Sequence, residues 1–174
     1  MRSYFAWIGA SPGFVLLALA AGAAVQGSTY ALAYLVGADL TSDAIAQYRS
    51  AQAAGNPVWL PLFFAWPGFI AAPLVEESIF RGFLWRGWDV SRLGAGGTWL
   101  LSSLVFAAYH IQTVIGGSPL QAGIVLLETL LMGLMFGWLR RRSGSTLPAM
   151  AAHFANNLIP PVATLLIGAM SAGR

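Results

Sequence analysis

Along the chain, long apolar runs alternate with short connections rich in glycine and arginine. A membrane-crossing helix needs about 20 mostly apolar residues, and scanning at that length finds five spans. The first runs from Pro12 to Gly37, softened by Gln26, Ser28 and Thr29. The polar stretch from Ala38 to Pro57, with Asp39, Asp43, Gln47 and Arg49, reads as an extramembrane loop, part helical. A second span from Val58 to Trp85 contains Pro61, Pro67 and Pro73, which predicts a kinked or broken helix ahead of two adjacent glutamates. Backbone groups freed there must be buried in protein. Thr98 to Ile115 makes a shorter third span and Pro119 to Leu139 a fourth; Leu147 to Ile167 makes a fifth, its far half bent by Pro160 and Pro161. The pattern predicts an all-α fold, a polytopic membrane helix bundle of about five transmembrane helices. No linker divides it, and it reads as an N-terminal helix with a polar loop (residues 1–57) leading into a bundle (58–170).

Composition agrees, since 57% hydrophobic and 9% charged residues leave too little polar surface for a soluble globule of 174 residues. This is the composition of an integral membrane protein, with the lipid bilayer as its first partner. The net charge of +3 comes from arginines without any lysine, set mostly in short loops, so they orient the chain and form no nucleic-acid stripe. Arg2, Arg86, Arg92 and Arg140 to Arg142 fall on one side of the alternation, Arg49 and Arg174 on the other. The positive-inside rule then puts the N-terminus in the cytoplasm and the C-terminus outside, as in a bacterial inner membrane. A cleaved signal peptide ending near Ala18 to Ala20 is the rival for the start, but the hydrophobic run does not stop there. Without cysteine there is no disulfide, thiol nucleophile or thiolate metal site.

Against this background the polar residues inside the spans stand out. A charge near the bilayer centre costs roughly 3 kcal/mol, so several together rival the about 5 to 15 kcal/mol stability of a domain. Glu76, Glu77 and Arg81 lie in the second span, His110 in the third, and His153, Asn156 and Asn157 in the fifth. Counted at about 1.5 Å per residue from the cytoplasmic helix ends, Glu76 lies roughly 14 Å deep, His110 roughly 18 Å, and His153 and Asn157 roughly 9 and 15 Å. The levels overlap, so one cluster fits without large tilts.

Residues four apart share a helix face whereas neighbours diverge by about 100°. Glu77 therefore pairs with Arg81, and Glu76 is aimed elsewhere, less neutralised and the better candidate for a working base. The competing reading makes all three a helix-stabilising cluster snorkelling at the interface. Phe106 can cover His110, and a satisfied core hydrogen bond is the alternative for that histidine. His153 and Asn157 present an imidazole and an amide to one point, where two donors can stabilise an oxyanion; Asn156 is a substitute with a different direction. Glu128, roughly 17 Å from the Arg140 end of its span, is either a proton-handling group or a buried polar contact between helices. Gly133 and Gly137 form a small-xxx-small pair for close helix packing.

Hydrolysis of an amide suits this set. A partly desolvated carboxylate takes a proton from water, a histidine orients that water or delivers the proton to the leaving amine, and opposite donors hold the tetrahedral oxyanion. There is no H-E-x-x-H, no aspartate pair within the spans and no G-x-S-x-G elbow. No cofactor is required, although a divalent metal such as zinc remains open as well, with Glu76, His110 and His153 as three ligands.

The segments E-E-S-I-F-R (Glu76 to Arg81), F-A-A-Y-H (Phe106 to His110) and H-F-A-N-N (His153 to Asn157) resemble the three ordered motifs of the CAAX-protease and bacteriocin-processing (CPBP, Abi) family of intramembrane endopeptidases. With G-L-M-F-G-W-L-R-R-R-S-G-S-T-L-P ahead of His153, the similarity covers about Val58 to Ile167. The resemblance implies a glutamate-dependent membrane protease in which Glu76 activates water with His110, His153 and Asn157 form the oxyanion site, and Glu77 and Arg81 support them. It implies a peptide or protein substrate with a membrane-associated segment, such as a C-terminal sorting segment or leader peptide. Eukaryotic members that trim prenylated proteins are longer, which turns the expectation away from prenyl substrates. Two other classes compete: a non-catalytic bacteriocin-immunity or peptide-binding protein of the same fold, and a small transporter with a proton relay, against which the absence of an inverted repeat counts.

Overall fold

The computed structural model describes residues 6–7, 9–40, 42–57, 59–91 and 93–172. Arg2, Arg92 and Arg174 of the orientation argument, and Val58 at the start of the second span, lie outside the described residues. Those that are described form helices and connections only.

Three helices are long and apolar enough to cross a membrane: α1 (Pro12–Leu35), α7 (Pro119–Ser143) and α8 (Leu147–Ala172). Their ends follow from local chemistry. Ser11 accepts a hydrogen bond from the Phe14 amide with Pro12 in the first turn, and Ser118 and Gln121 form a reciprocal capping box ahead of Pro119. Helix α7 stops at Gly144, whose φ of 69° suits glycine, and Arg140 to Arg142 occupy its last turn, where cations favour the helix dipole. The polar loop holds α2 (Ser42–Ala53).

The other two expected spans are not single long helices. The proline-rich run stays helical but changes pitch: α3 (Leu60–Phe64), a π turn (Pro67–Ala71), α4 (Ala72–Glu77), a π-helical segment (Ser78–Leu84) and α5 (Trp85–Asp89). Pro61, Pro67 and Pro73 each fall in the first turn of a new piece, where a missing N–H costs no internal bond. The third span is the 16-residue α6 (Gly94–Tyr109), which tightens at His110 into a 3₁₀ turn (His110–Val114). Helix α8 continues through Pro160 and Pro161; each lacks the N–H that the carbonyl four residues earlier would bond, which frees those of Asn156 and Asn157.

Close helix approach is bought with small residues. A Cβ on Gly22 of α1 would lie 1.9 Å from the Ala152 carbonyl oxygen of α8, and one on Gly133 of α7 would lie 3.0 Å from the Ser103 carbonyl of α6. Gly137, one turn on, takes the Trp99 ring. The core behind these contacts is Phe80, Phe106, Met132, Phe136 and Leu139 with Ala18, Ala149 and Ala152. Outward positions such as Leu16, Leu104, Leu131 and Leu166 are exposed and apolar, the surface a bilayer would cover.

Candidate active site

The π-helical segment sets the frame. Arg81 is fully buried and points between the rings of Phe106 and Phe136, 4.3 and 5.3 Å from their centroids. Its Nη1 donates to Glu77 Oε1 at 3.1 Å and its Nη2 to the Gly133 carbonyl at 3.0 Å. Two carbonyls of this segment accept side-chain donors: Arg140 Nε reaches that of Arg81 at 2.8 Å, and Ser102 Oγ that of Phe80 at 3.2 Å. Glu77, also fully buried, holds a second partner from α8, because His153 Nδ1 lies 3.1 Å from the same Oε1. The sequence marks Glu77 as a partner of Arg81 alone; the link to a residue 76 positions away has no local signal.

Glu76 faces the other way. Its Oε2 stands 3.7 Å from His110 Nε2 and 4.0 Å from His153 Nε2. His110 Nδ1 lies 2.8 Å from the Phe106 carbonyl, and its ring packs tilted against Phe106, centroids 4.5 Å apart. A carbonyl and a carboxylate only accept, so both Nδ1 atoms are assigned the proton. In the neutral ring Nε2 is then an acceptor. Three acceptors converge with no donor among them, and Glu76 Oε2 is buried without a hydrogen bond. Glu76 and His110 keep side-chain exposures of 15% and 17% against 2% for His153, so the opening lies on their side. His153 is sealed by Phe136, stacked at 5.0 Å, and by the edge of Phe106.

Asn157 donates through Nδ2 to the Gly68 carbonyl at 2.9 Å, tying α8 to the π turn ahead of Glu76, and its Oδ1 accepts from Asn156 Nδ2 at 3.3 Å. Asn156 faces away from Glu76. Its Nδ2 donates to Gln26 Oε1 at 3.0 Å and approaches Glu128 Oε1 at 3.4 Å, a second polar cluster between α1, α7 and α8. Gln26 was legible only as a polar interruption of the first span; its role as a partner of Asn156 depends on the α1–α8 packing. The structure thus brings Glu76, His110 and His153 together, places Glu77, Arg81 and Phe106 behind them, and sets Asn156 and Glu128 in a neighbouring cluster. Among the described residues no group of three or more His, Asp or Glu is placed to hold a metal ion, the set Glu76, His110 and His153 included.

The described residues form a helical bundle with three helices long and apolar enough to cross a membrane and a carboxylate–imidazole cluster built from α4, the end of α6 and α8, the architecture of an integral membrane protein. The model of the family described as Rce1-like, type II CAAX prenyl endopeptidase Rce1-like, matches residues 57–159, and the chain belongs to that family. Neither the curated proteins nor the solved structures include a significant match. The matched stretch holds all three motifs and leaves α1 and α2 outside.

Proposed function

We propose that this chain is a glutamate-dependent intramembrane endopeptidase in which Glu76 is the base. The observation that carries this is the trio of acceptors, Glu76 Oε2 and the Nε2 atoms of His110 and His153, at separations too long for direct hydrogen bonds and suited to one bridging water. A water there has two protons to donate and three acceptors to receive them, which leaves its oxygen lone pair for a peptide carbonyl. As oxygen attacks the carbonyl carbon, Glu76 takes the water proton. Collapse of the tetrahedral intermediate breaks the C–N bond, and the proton passes from Glu76 to the leaving amine while His110 orients it. Asn157 Nδ2 has a second N–H beyond the one given to Gly68, and it serves the oxyanion. His153 joins it by taking the water's second proton on Nε2 as the oxyanion forms, with Glu77 as counter-charge, and gives that proton up as the products leave.

The catalytic bundle is residues 58–170, with α1 and the polar loop before it, in a bacterial inner membrane with the N-terminus cytoplasmic. The substrate class is a peptide bond beside a membrane-associated segment, a C-terminal sorting segment or leader peptide. The test uses proteoliposomes and two quenched fluorogenic peptides, one with an apolar C-terminal span and one with a farnesylated C-terminal cysteine motif. Glu76→Gln and His110→Ala should abolish cleavage while leaving folding and peptide capture intact. Retained biological effect in both variants would favour the peptide-binding or immunity reading, and chelator sensitivity would bring a metal into the chemistry.

A further inference from the structure

The second polar cluster does not touch Glu76, yet it ends on Asn157, the residue assigned to the oxyanion in the proposed function. Asn156 Nδ2 carries two hydrogens and faces three acceptors: Gln26 Oε1 at 3.0 Å, Asn157 Oδ1 at 3.3 Å and Glu128 Oε1 at 3.4 Å. Its own Oδ1 is buried without a partner. An amide can rotate half a turn in nearly the same volume, so this imbalance needs a reason. The acceptors from α1 and α7 supply one, because they favour nitrogen over oxygen on the side of Asn156 that meets Asn157.

That choice propagates. With Asn156 Nδ2 toward it, Asn157 must offer Oδ1, and its Nδ2 is then left facing the Gly68 carbonyl with one N–H to spare. If Asn156 turned over, two amide oxygens would meet, and Asn157 would relieve the repulsion by turning too, setting its oxygen against the Gly68 carbonyl and withdrawing the donor.

We propose that Gln26 and Glu128 are positioning residues for the reaction, which through Asn156 fix the amide of Asn157 with its nitrogen toward the site. The assignment rests on the reading that Asn157 serves the oxyanion, and it gives α1, which lies outside the family-matched stretch, a part in the chemistry. In metal sites, partners that orient a ligand typically contribute about 10- to 100-fold to activity, and that sets the scale expected of an orienting residue here. The ceiling is loss of the donor itself, about 10²- to 10³-fold.

The chain has three asparagines, Asn56, Asn156 and Asn157, so asparagine-selective ¹⁵N labelling gives three side-chain amide pairs, assigned by single Asn→Asp variants. In Gln26→Met combined with Glu128→Met, the Asn157 pair should shift or double, and in Glu128→Gln, which keeps an acceptor oxygen, it should stay in place. If the paired variant does not fold, each single variant is read the same way. With the fluorogenic peptides in proteoliposomes, kcat should fall about 10- to 100-fold at constant KM. Adding Asn157→Ala should lower it no further than Asn157→Ala alone. An Asn157 pair that does not move in Gln26→Met, or losses that multiply with Asn157→Ala, would overturn the assignment. The amide spectra need no cleavage, so a dead wild-type enzyme would count against the protease reading alone.

Discussion

Glu76 and Glu77 are neighbours in sequence and opposites in surroundings. Glu77 is enclosed: one of its oxygens serves Arg81 and His153, aromatic rings cover the pair, and no water reaches it. Glu76 keeps a narrow opening, and close to its Oε2 stand two histidine nitrogens that, in neutral rings, accept as it does. The difference teaches how one helix turn separates structure from chemistry. A rotation of about 100° sends one carboxylate into a buried ion pair and the other into a space that needs an outside proton donor. The buried pair is not itself a strong source of stability, because desolvation offsets much of its attraction, but breaking it is costly.

The sharpest break of this contrast is Glu76→Gln. The amide keeps the volume and loses the base, so cleavage should fall about 10²- to 10⁴-fold with unfolding unchanged. A variant that cleaves at the wild-type rate would remove Glu76 from the mechanism. On the enclosed side, Arg81→Met should act the other way. It strands the Glu77 carboxylate in a buried setting, a loss of about 3 to 5 kcal/mol in stability measured by chemical or thermal unfolding in detergent. Unchanged stability would show that Glu77 does not depend on its arginine.

How much of this was legible beforehand divides along the same line. The Glu77–Arg81 pair and the covering of His110 by Phe106 are i,i+4 relations on one helix, and such relations can be read directly from spacing. The three ordered motifs were enough to indicate the family. The contact of Glu77 with His153 and that of Gln26 with Asn156 depend on how α1, α8 and the proline-rich run pack, and no periodicity carries that information. Three prolines predict a kinked or broken helix, and each begins a new helical piece; what spacing does not carry is that π-helical segments take up the change of pitch. The apolar run predicts a third span through His110 to Ile115, whereas the α-helix ends at Tyr109 and tightens at His110, whose ring accordingly sits at a helix end.

Gly22 sharpens the comparison without touching either glutamate. A Cβ there would meet the carbonyl of Ala152 at 1.9 Å, and the residue after Ala152 is His153. Gly22→Ala should push α8 from α1, at about 1 to 3 kcal/mol of overpacking, and lower activity as well because α8 carries both His153 and Asn157. Gly133→Ala, with a gap of 3.0 Å to the Ser103 carbonyl, should be the milder of the two. Equal effects would mean that the α1–α8 crossing yields more easily than its geometry indicates.

The smallest effect is expected at Ser102. This buried hydroxyl on α6 donates to the Phe80 carbonyl, at the point where the π-helical segment turns Arg81 toward Glu77. Ser102→Ala removes the donor and leaves a buried carbonyl with one partner fewer, a cost of about 1 kcal/mol. Phe80 lies on the enclosed side, so the loss should appear as a lower unfolding midpoint with kcat and KM near their wild-type values. A fall in kcat larger than the change in stability would show that strain in the π segment passes to Glu76, and the two carboxylate environments would then have to be treated as one coupled unit.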